Sequence, residues 1–386
     1  MRGPLAVTTV AVLVTLACSE RSPDPWSRVD AFGAPRQGLS EGEVERFEEG
    51  RALFNRIFTA EEGLGPLFNE DQCSACHTDP APGGTGEQVV RKAARFEVET
   101  GSCDLLVEAG GENLRSRVAQ AAAEMGVVRD TVPSAATHVG SFDVPLLFGL
   151  GAADALPDST LERMADPDDL DGDGISGRLG RTADGRIGRF GRKADVATLR
   201  DFTVSALLNE MGVTADGRSE RGTNGGALPV GADSRADPEL SEEAVDLITD
   251  YVRYLGVPPS SVPPDSSLWL EGRELFDAVG CTGCHLPELP VGSEGGVAPL
   301  FSDFLLHDLG SALGGAPCAP AASPDEFRTA PLAGLSASRT YLHDGRARTI
   351  EEAVSFHGGE ASGVRAAFSA LDPVRRAALL AYLDTL

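Results

Sequence analysis

The chain has 386 residues, 41% of them hydrophobic and only 6% aromatic, with 45 glycines and 25 prolines. That length carries a sizeable core and two or three domains, while the glycine and proline content predicts short helices joined by long ordered loops, with little scope for a continuous sheet. A formal charge of -26 excludes a nucleic-acid partner, whose phosphates need clustered Lys and Arg; the acidic surface either keeps the protein soluble or steers a basic partner to it.

Residues 1–18 read as a signal segment, with Arg2 ahead of an apolar stretch from Leu5 to Leu16 that is too short to span a bilayer. The expectation is an exported protein, periplasmic or at the outer surface. Cleavage follows a small residue such as Ala17, or Leu16-Ala17-Cys18 acts as a lipobox and Cys18 carries a lipid anchor, the one membrane link expected. Residues 19–40, polar and proline-containing at their start, read as a flexible tether.

A first unit, residues 41–256, opens with a helix carrying Glu49-Gly50-Arg51-Ala52-Leu53-Phe54 and continues into Cys73-Ser74-Ala75-Cys76-His77. After the proline-rich linker 257–266, a second unit, residues 267–386, repeats the plan with Glu271-Gly272-Arg273-Glu274-Leu275-Phe276 and Cys281-Thr282-Gly283-Cys284-His285. Two thiols at this spacing reach both vinyl groups of a haem, and the next residue presents an imidazole to the iron. Two covalently bound haem c groups are therefore expected, held through Cys73, Cys76, Cys281 and Cys284, with His77 and His285 as iron ligands. A zinc site split across both pairs needs them much closer together, and a thioredoxin-like motif needs a βαβ context.

Between its motif and its closing helix the first unit carries a long insertion rich in Gly, Asp and Arg, expected as loops and short helices, one of them from Val196 to Met211. Asp169, Asp171 and Asp173 precede Gly174 at the first, third and fifth places of a calcium loop, but place twelve is Gly180, where an EF-hand has Glu. The segment is thus a Ca2+ site or an ordered Asp-Gly turn. Apolar residues spaced three and four apart, from Ala244 to Leu255 and from Ala378 to Leu386, predict a closing helix for each unit. The fold expected is mainly α: two cytochrome c-like haem domains, the first with a long loop-rich insertion. Cys103 and Cys318 either pair across the halves or stay as separately buried thiols.

These residues resemble the bacterial di-haem oxidoreductases classed as peroxidases and often labelled thiol oxidoreductases. The resemblance rests on Gly65-Pro66-Leu67-Phe68-Asn69, on Asp171-Gly172-Asp173-Gly174-Ile175-Ser176-Gly177-Arg178, on Leu305-Leu306-His307-Asp308-Leu309-Gly310 and, most specifically, on the block from Tyr341-Leu342-His343-Asp344-Gly345 to Ala353-Val354. The last block is also similar to the His-Asp-Gly segment of diheme cytochrome c peroxidases, in which an axial Met follows an Ala-Val pair after a two-residue gap. That position here is His357, which implies a bis-histidine second haem of lowered potential. The thiol-oxidoreductase label gains no support, because haem attachment uses both Cys pairs.

The only methionines are Met1, Met125, Met164 and Met211, so the second haem finds no Met in its own unit; its sixth ligand is His357, His343, His307 or none, with His357 favoured. For the first haem the candidates are His138, Met211, Met164 and Met125, or an open site. A peroxidatic haem also needs a distal acid-base, and Asn209-Glu210-Met211-Gly212 is similar to the distal glutamate region of diheme peroxidases, which makes Glu210 the candidate. The resemblance implies an oxidoreductase in which the second haem accepts electrons from a small cytochrome or cupredoxin-like donor and the first reduces hydrogen peroxide or a similar small oxidant. The motifs alone equally allow a non-catalytic electron carrier.

Overall fold

The computed structural model describes residues 24–215, 217–261, 266–292 and 296–386. The signal segment and Cys18 lie outside the described residues. Each unit is framed by a pair of helices built the same way. Ser40 caps the Glu41–Phe54 helix through a reciprocal bond with Glu43, and Ser241 caps its partner, Glu242–Tyr254. In the second unit Ser266 caps Ser267–Ala278, and Asp372, followed by Pro373 at the first helical position, caps Pro373–Leu383.

The repeated Glu-Gly-Arg segment is where each pair crosses. A methyl group on Gly50 would sit 2.0 Å from the Leu247 carbonyl oxygen, and one on Gly272 would sit 2.4 Å from that of Ala378, so only glycine permits the backbones to approach this closely. Four residues on, Phe54 meets Tyr251 at 4.9 Å and Phe276 meets Tyr382 at 5.7 Å between ring centroids. The internal repeat is thus the same helix crossing made twice.

Elsewhere the chain departs from a mainly helical plan. The described residues contain eleven α-helices, several of a single turn, and eleven short strands. The longest strand, Val89–Glu97, lies between Ser102–Asp104 and His138–Asp143 in an antiparallel sheet, with Phe96 opposite Cys103 and Ala94 opposite His138. The insertion therefore holds a small sheet that its loop-like composition did not announce. The expected Val196–Met211 helix begins at Leu199 because Thr198 caps Asp201 and Val196 pairs with Phe190.

Two boundaries also differ from expectation. The last part of the tether is laid down on the protein: Arg28 and Pro35 bridge to Val257 and Leu255, and Val29 is buried. The proline-rich linker does not separate two cores, since Leu289, Val291, Leu300 and Phe304 of the second unit share one apolar cluster with Phe47, Tyr251 and Leu255 of the first. A disulfide between Cys103 and Cys318, whose Cα atoms are 5.9 Å apart, ties the sheet to the second unit. Closing so long a loop removes on the order of 5 kcal/mol of unfolded-chain entropy in the chain-entropy picture. Among the described residues no helix is long and apolar enough to cross a membrane.

Candidate haem sites

Cys73–Cys76 forms one helical turn and Cys281–Gly283 a 3-10 turn, so each motif presents its thiols and the following His from a compact corner. All four thiols are free, whereas the other two described cysteines are bridged. Burial pushes the thiols of Cys73, Cys76 and Cys281 up to about 12, so they stay protonated. His77 Nδ1–H donates to the Gly84 carbonyl and His285 Nδ1–H to that of Phe301, both at 3.0 Å. Because a carbonyl only accepts, each bond fixes the tautomer that leaves Nε2 with a free lone pair. Burial lowers both histidines to about 4, which keeps them neutral and able to bind a metal.

His357 is built the same way. It caps the Ile350–Phe356 helix, donates Nδ1–H to Ala353 O at 2.8 Å, and is pushed down by burial. It lies close enough to His285 to depress that residue further. The other two candidates for this position are arranged differently. His343 is buried and stacked on Phe327 at 4.3 Å, with Arg192, Lys193 and Arg346 around it.

Both nitrogens of His307 are taken, Nε2 by Asp303 at 2.8 Å and Nδ1 by Glu360 at 2.9 Å. With no lone pair to offer, His307 drops out as an iron ligand. Burial alone would lower its pKa, but the bonds to Asp303, Cys284 and Glu360 outweigh that and hold it well above the imidazole range. A histidine that keeps its proton more firmly when folded adds stability that is complete below about pH 6.5 and fades as the pH rises from there. Thermal unfolding followed from about pH 6 to 10 is expected to show that decline. His307→Gln is expected to flatten it and to cost about 3–5 kcal/mol at the acid end, as breaking a buried ion pair does.

Glu360 also receives the backbone N–H groups of Ser176 and Asp308, which brings the Asp-Gly loop of the insertion onto the second motif. Arg178 bridges to Leu306, and Ile175 fills the space a side chain at Gly283 would need. The Asp169, Asp171 and Asp173 carboxylates converge within 4.8 Å. Each also accepts a backbone N–H within the turn, from Gly174, Asp173 and Ile175 respectively.

Glu210 ends the Leu199–Met211 helix beside the first motif, near enough to press on the Cys76 thiol. Asn69 Nδ2 donates to its Oε2 at 2.8 Å, Asn69 N–H to its carbonyl at 2.7 Å, and Asn113 Nδ2 to the Asn209 carbonyl at 2.6 Å. Burial raises the Glu210 carboxyl. Of the remaining candidates for this side, Met211 is packed in the core, Met164 is packed against it, Met125 is exposed, and His138 receives a bond from, or gives one to, Thr137 Oγ1 beside Phe96.

A partly buried cationic seam, with Lys193 buried and Arg192 and Arg328 half-buried, runs between the two motifs. Arg192 donates to Asp143 O, two residues before the Pro145 carbonyl that His77 also meets. Arg328 lies beside Arg192 and Asp303, and Asp303 N–H donates to Cys284 O. Lys193 caps the carbonyls of Ser323, Pro324 and Glu326 at 2.5–3.0 Å and sits 3.7 Å from the Phe327 ring centre. Arg192 Nε is buried without a partner, so the seam keeps an unmet donor of the kind a haem propionate would answer. The free thiols, the uncommitted Nε2 atoms and this seam together fit haem. The paired carboxylates of His307 and the seam were not foreseen; adjacent Arg192-Lys193 between Phe190 and Ala194 was the available signal.

Two Cys-pair sites, each with a tautomer-locked histidine, joined by a partly buried cationic seam have the layout of a two-centre redox protein. The chain belongs to the family described as "Di-haem oxidoreductase, putative peroxidase", whose model matches residues 81–386. No curated protein matches it. Among solved structures it is similar to hydrazine synthase of Kuenenia stuttgartiensis (16% identity, 100% of each chain covered, TM-score 0.44). It is also similar to a MauG-like protein associated with microbial copper homeostasis (16%, 94% of each chain, 0.42) and to the diheme peroxidase BthA of Burkholderia thailandensis (15%, 93% of this chain and 89% of that one, 0.43).

Proposed function

We propose that the chain is an exported di-haem c-type peroxidase, with haem thioether-linked at Cys73/Cys76 and at Cys281/Cys284. His77 and His285 bind the irons, His357 completes the second site, and Glu210 is the distal acid-base of the first. The observation that carries this is the Glu210 carboxyl, half-buried beside Cys76 and held by the Asn69 side-chain amide at 2.8 Å in a chain of a peroxidase-like family. Haem supplies redox-active iron at both sites. Two electrons from a small cytochrome or cupredoxin-like donor and two protons convert hydrogen peroxide to two waters as the O–O bond breaks. Glu210, its pKa raised by burial, moves a proton from one peroxide oxygen to the other, and Asn69 orients it. The Cys103–Cys318 bridge supports an oxidising compartment, periplasmic or outer-surface.

His357→Ala tests the second-site assignment without reference to turnover. The low-spin ferric signal of the second haem is expected to become high-spin, and the potential of that haem to rise, with haem content unchanged. An unaltered spectrum would remove His357 from the site.

A further inference from the structure

Beyond both haem sites lies a second concentration of acid. Glu220, Asp233, Asp237 and Glu239 bring carboxylate oxygens within 4.8 Å of one another. Acidic side chains gather on many surfaces without consequence, but here Glu239 is buried, Glu220 and Asp233 are half-buried, and Asp237 is exposed. Glu239 is 4% exposed. Its Oε2 accepts the Thr214 N–H at 2.6 Å and Thr214 Oγ1–H at 2.5 Å, while its Oε1 is buried without a partner, as is Oε1 of Glu220. Two carboxylate oxygens without a donor thus belong to a group in which like charges already meet. Burial first, and then the bond to Asp237, drive the Glu220 carboxyl far above the carboxylate range. Such an arrangement is costly unless a cation or shared protons offset it.

We propose that these four carboxylates form a calcium site. All the donors are oxygens, which suits a hard cation, and calcium accepts the irregular six-to-eight-fold set that four carboxylates and water provide, whereas magnesium demands a near-ideal octahedron. The ion would clamp three stretches of chain together: Thr214, just past the helix that ends in Glu210 and Met211; the loop at Glu220; and the segment from Asp233 to Glu239 that leads into the Glu242–Tyr254 helix. Glu239 N–H already donates to Thr214 O at 3.1 Å, so the ion would lock a junction that exists without it. The site is separate from the Asp169, Asp171 and Asp173 turn and owes nothing to the peroxidase reading.

The test uses the haem-loaded chain, stripped with a chelator and titrated with calcium chloride by calorimetry and thermal unfolding. The wild type is expected to bind calcium with a midpoint shift of a few degrees. D171N/D173N is expected to keep that response and E220Q/E239Q to lose it, binding one ion fewer. E220Q/E239Q is further expected to be at least as stable as wild type without calcium, because a like-charge cost has been removed. Should the double variant fail to fold, E220Q alone, altering a partly exposed side chain, is expected to weaken calcium binding at least tenfold. Equal calcium uptake by wild type and whichever of these variants folds would overturn the proposal and leave the cluster as proton-sharing carboxyls. Neither readout involves peroxide, so this result is independent of the assignment of Glu210.

Discussion

Glu210→Gln is expected to lower peroxide turnover by about a hundredfold to ten-thousandfold, the range over which a positioned proton-transfer group acts, while both haems remain attached. The amide keeps the size of the side chain and can still meet Asn69, which now donates to Oε2 at 2.8 Å, so the helix end and its contacts should persist. What is lost is the exchangeable proton beside Cys76. Steady-state turnover with a reduced donor, alongside a haem assay and the ferric spectrum, separates these effects. Turnover at the wild-type level would remove Glu210 from the mechanism. Asn69→Leu is a useful companion, since it leaves the carboxyl but releases its orientation.

Cys281→Ser/Cys284→Ser is expected to yield a chain with one covalent haem instead of two, and to reduce donor-supported turnover to the background level. The second unit has little else at its centre. Its core around Phe276, Phe301, Phe368 and Tyr382 is small, with Cys281 packed against it, and the helices Ser267–Ala278 and Pro373–Leu383 touch through Gly272. A pyridine haemochrome assay per chain and the spectrum of the remaining haem check the outcome. The mirror variant at Cys73 and Cys76 should keep the His285 and His357 signals. Two haems in either variant would contradict the attachment assignment.

What could be read from the sequence was local. The Glu-Gly-Arg repeat, the Cys-pair motifs and the capped helices are each set by residues a few positions apart, and the structure places Gly50 and Gly272 at equivalent crossings. The proposed place of His357 rests on its spacing from Ala353 and Val354, and in the structure the former accepts its Nδ1–H. The arrangement of His307 was not, because Glu360 reaches it from 53 positions away. Nor was the sheet, whose strand from His138 pairs with Val89–Glu97 across an intervening loop. The seam of Arg192, Lys193 and Arg328 is illegible for a related reason: covered cations look like surface cations until the elements that cover them are placed.

The bridge between Cys103 and Cys318 imposes an order on maturation. In chain order the cysteines among the described residues are Cys73, Cys76, Cys103, Cys281, Cys284 and Cys318, and oxidation as each appeared would join Cys73 to Cys76 and then Cys103 to Cys281. The bridge found skips both members of the second pair and spans 215 positions. On the proposed reading, capture of porphyrin would withdraw the four motif sulfurs from exchange before the last cysteine arrives to fasten the halves. A cell short of haem should accumulate scrambled, colourless chains rather than an empty native fold.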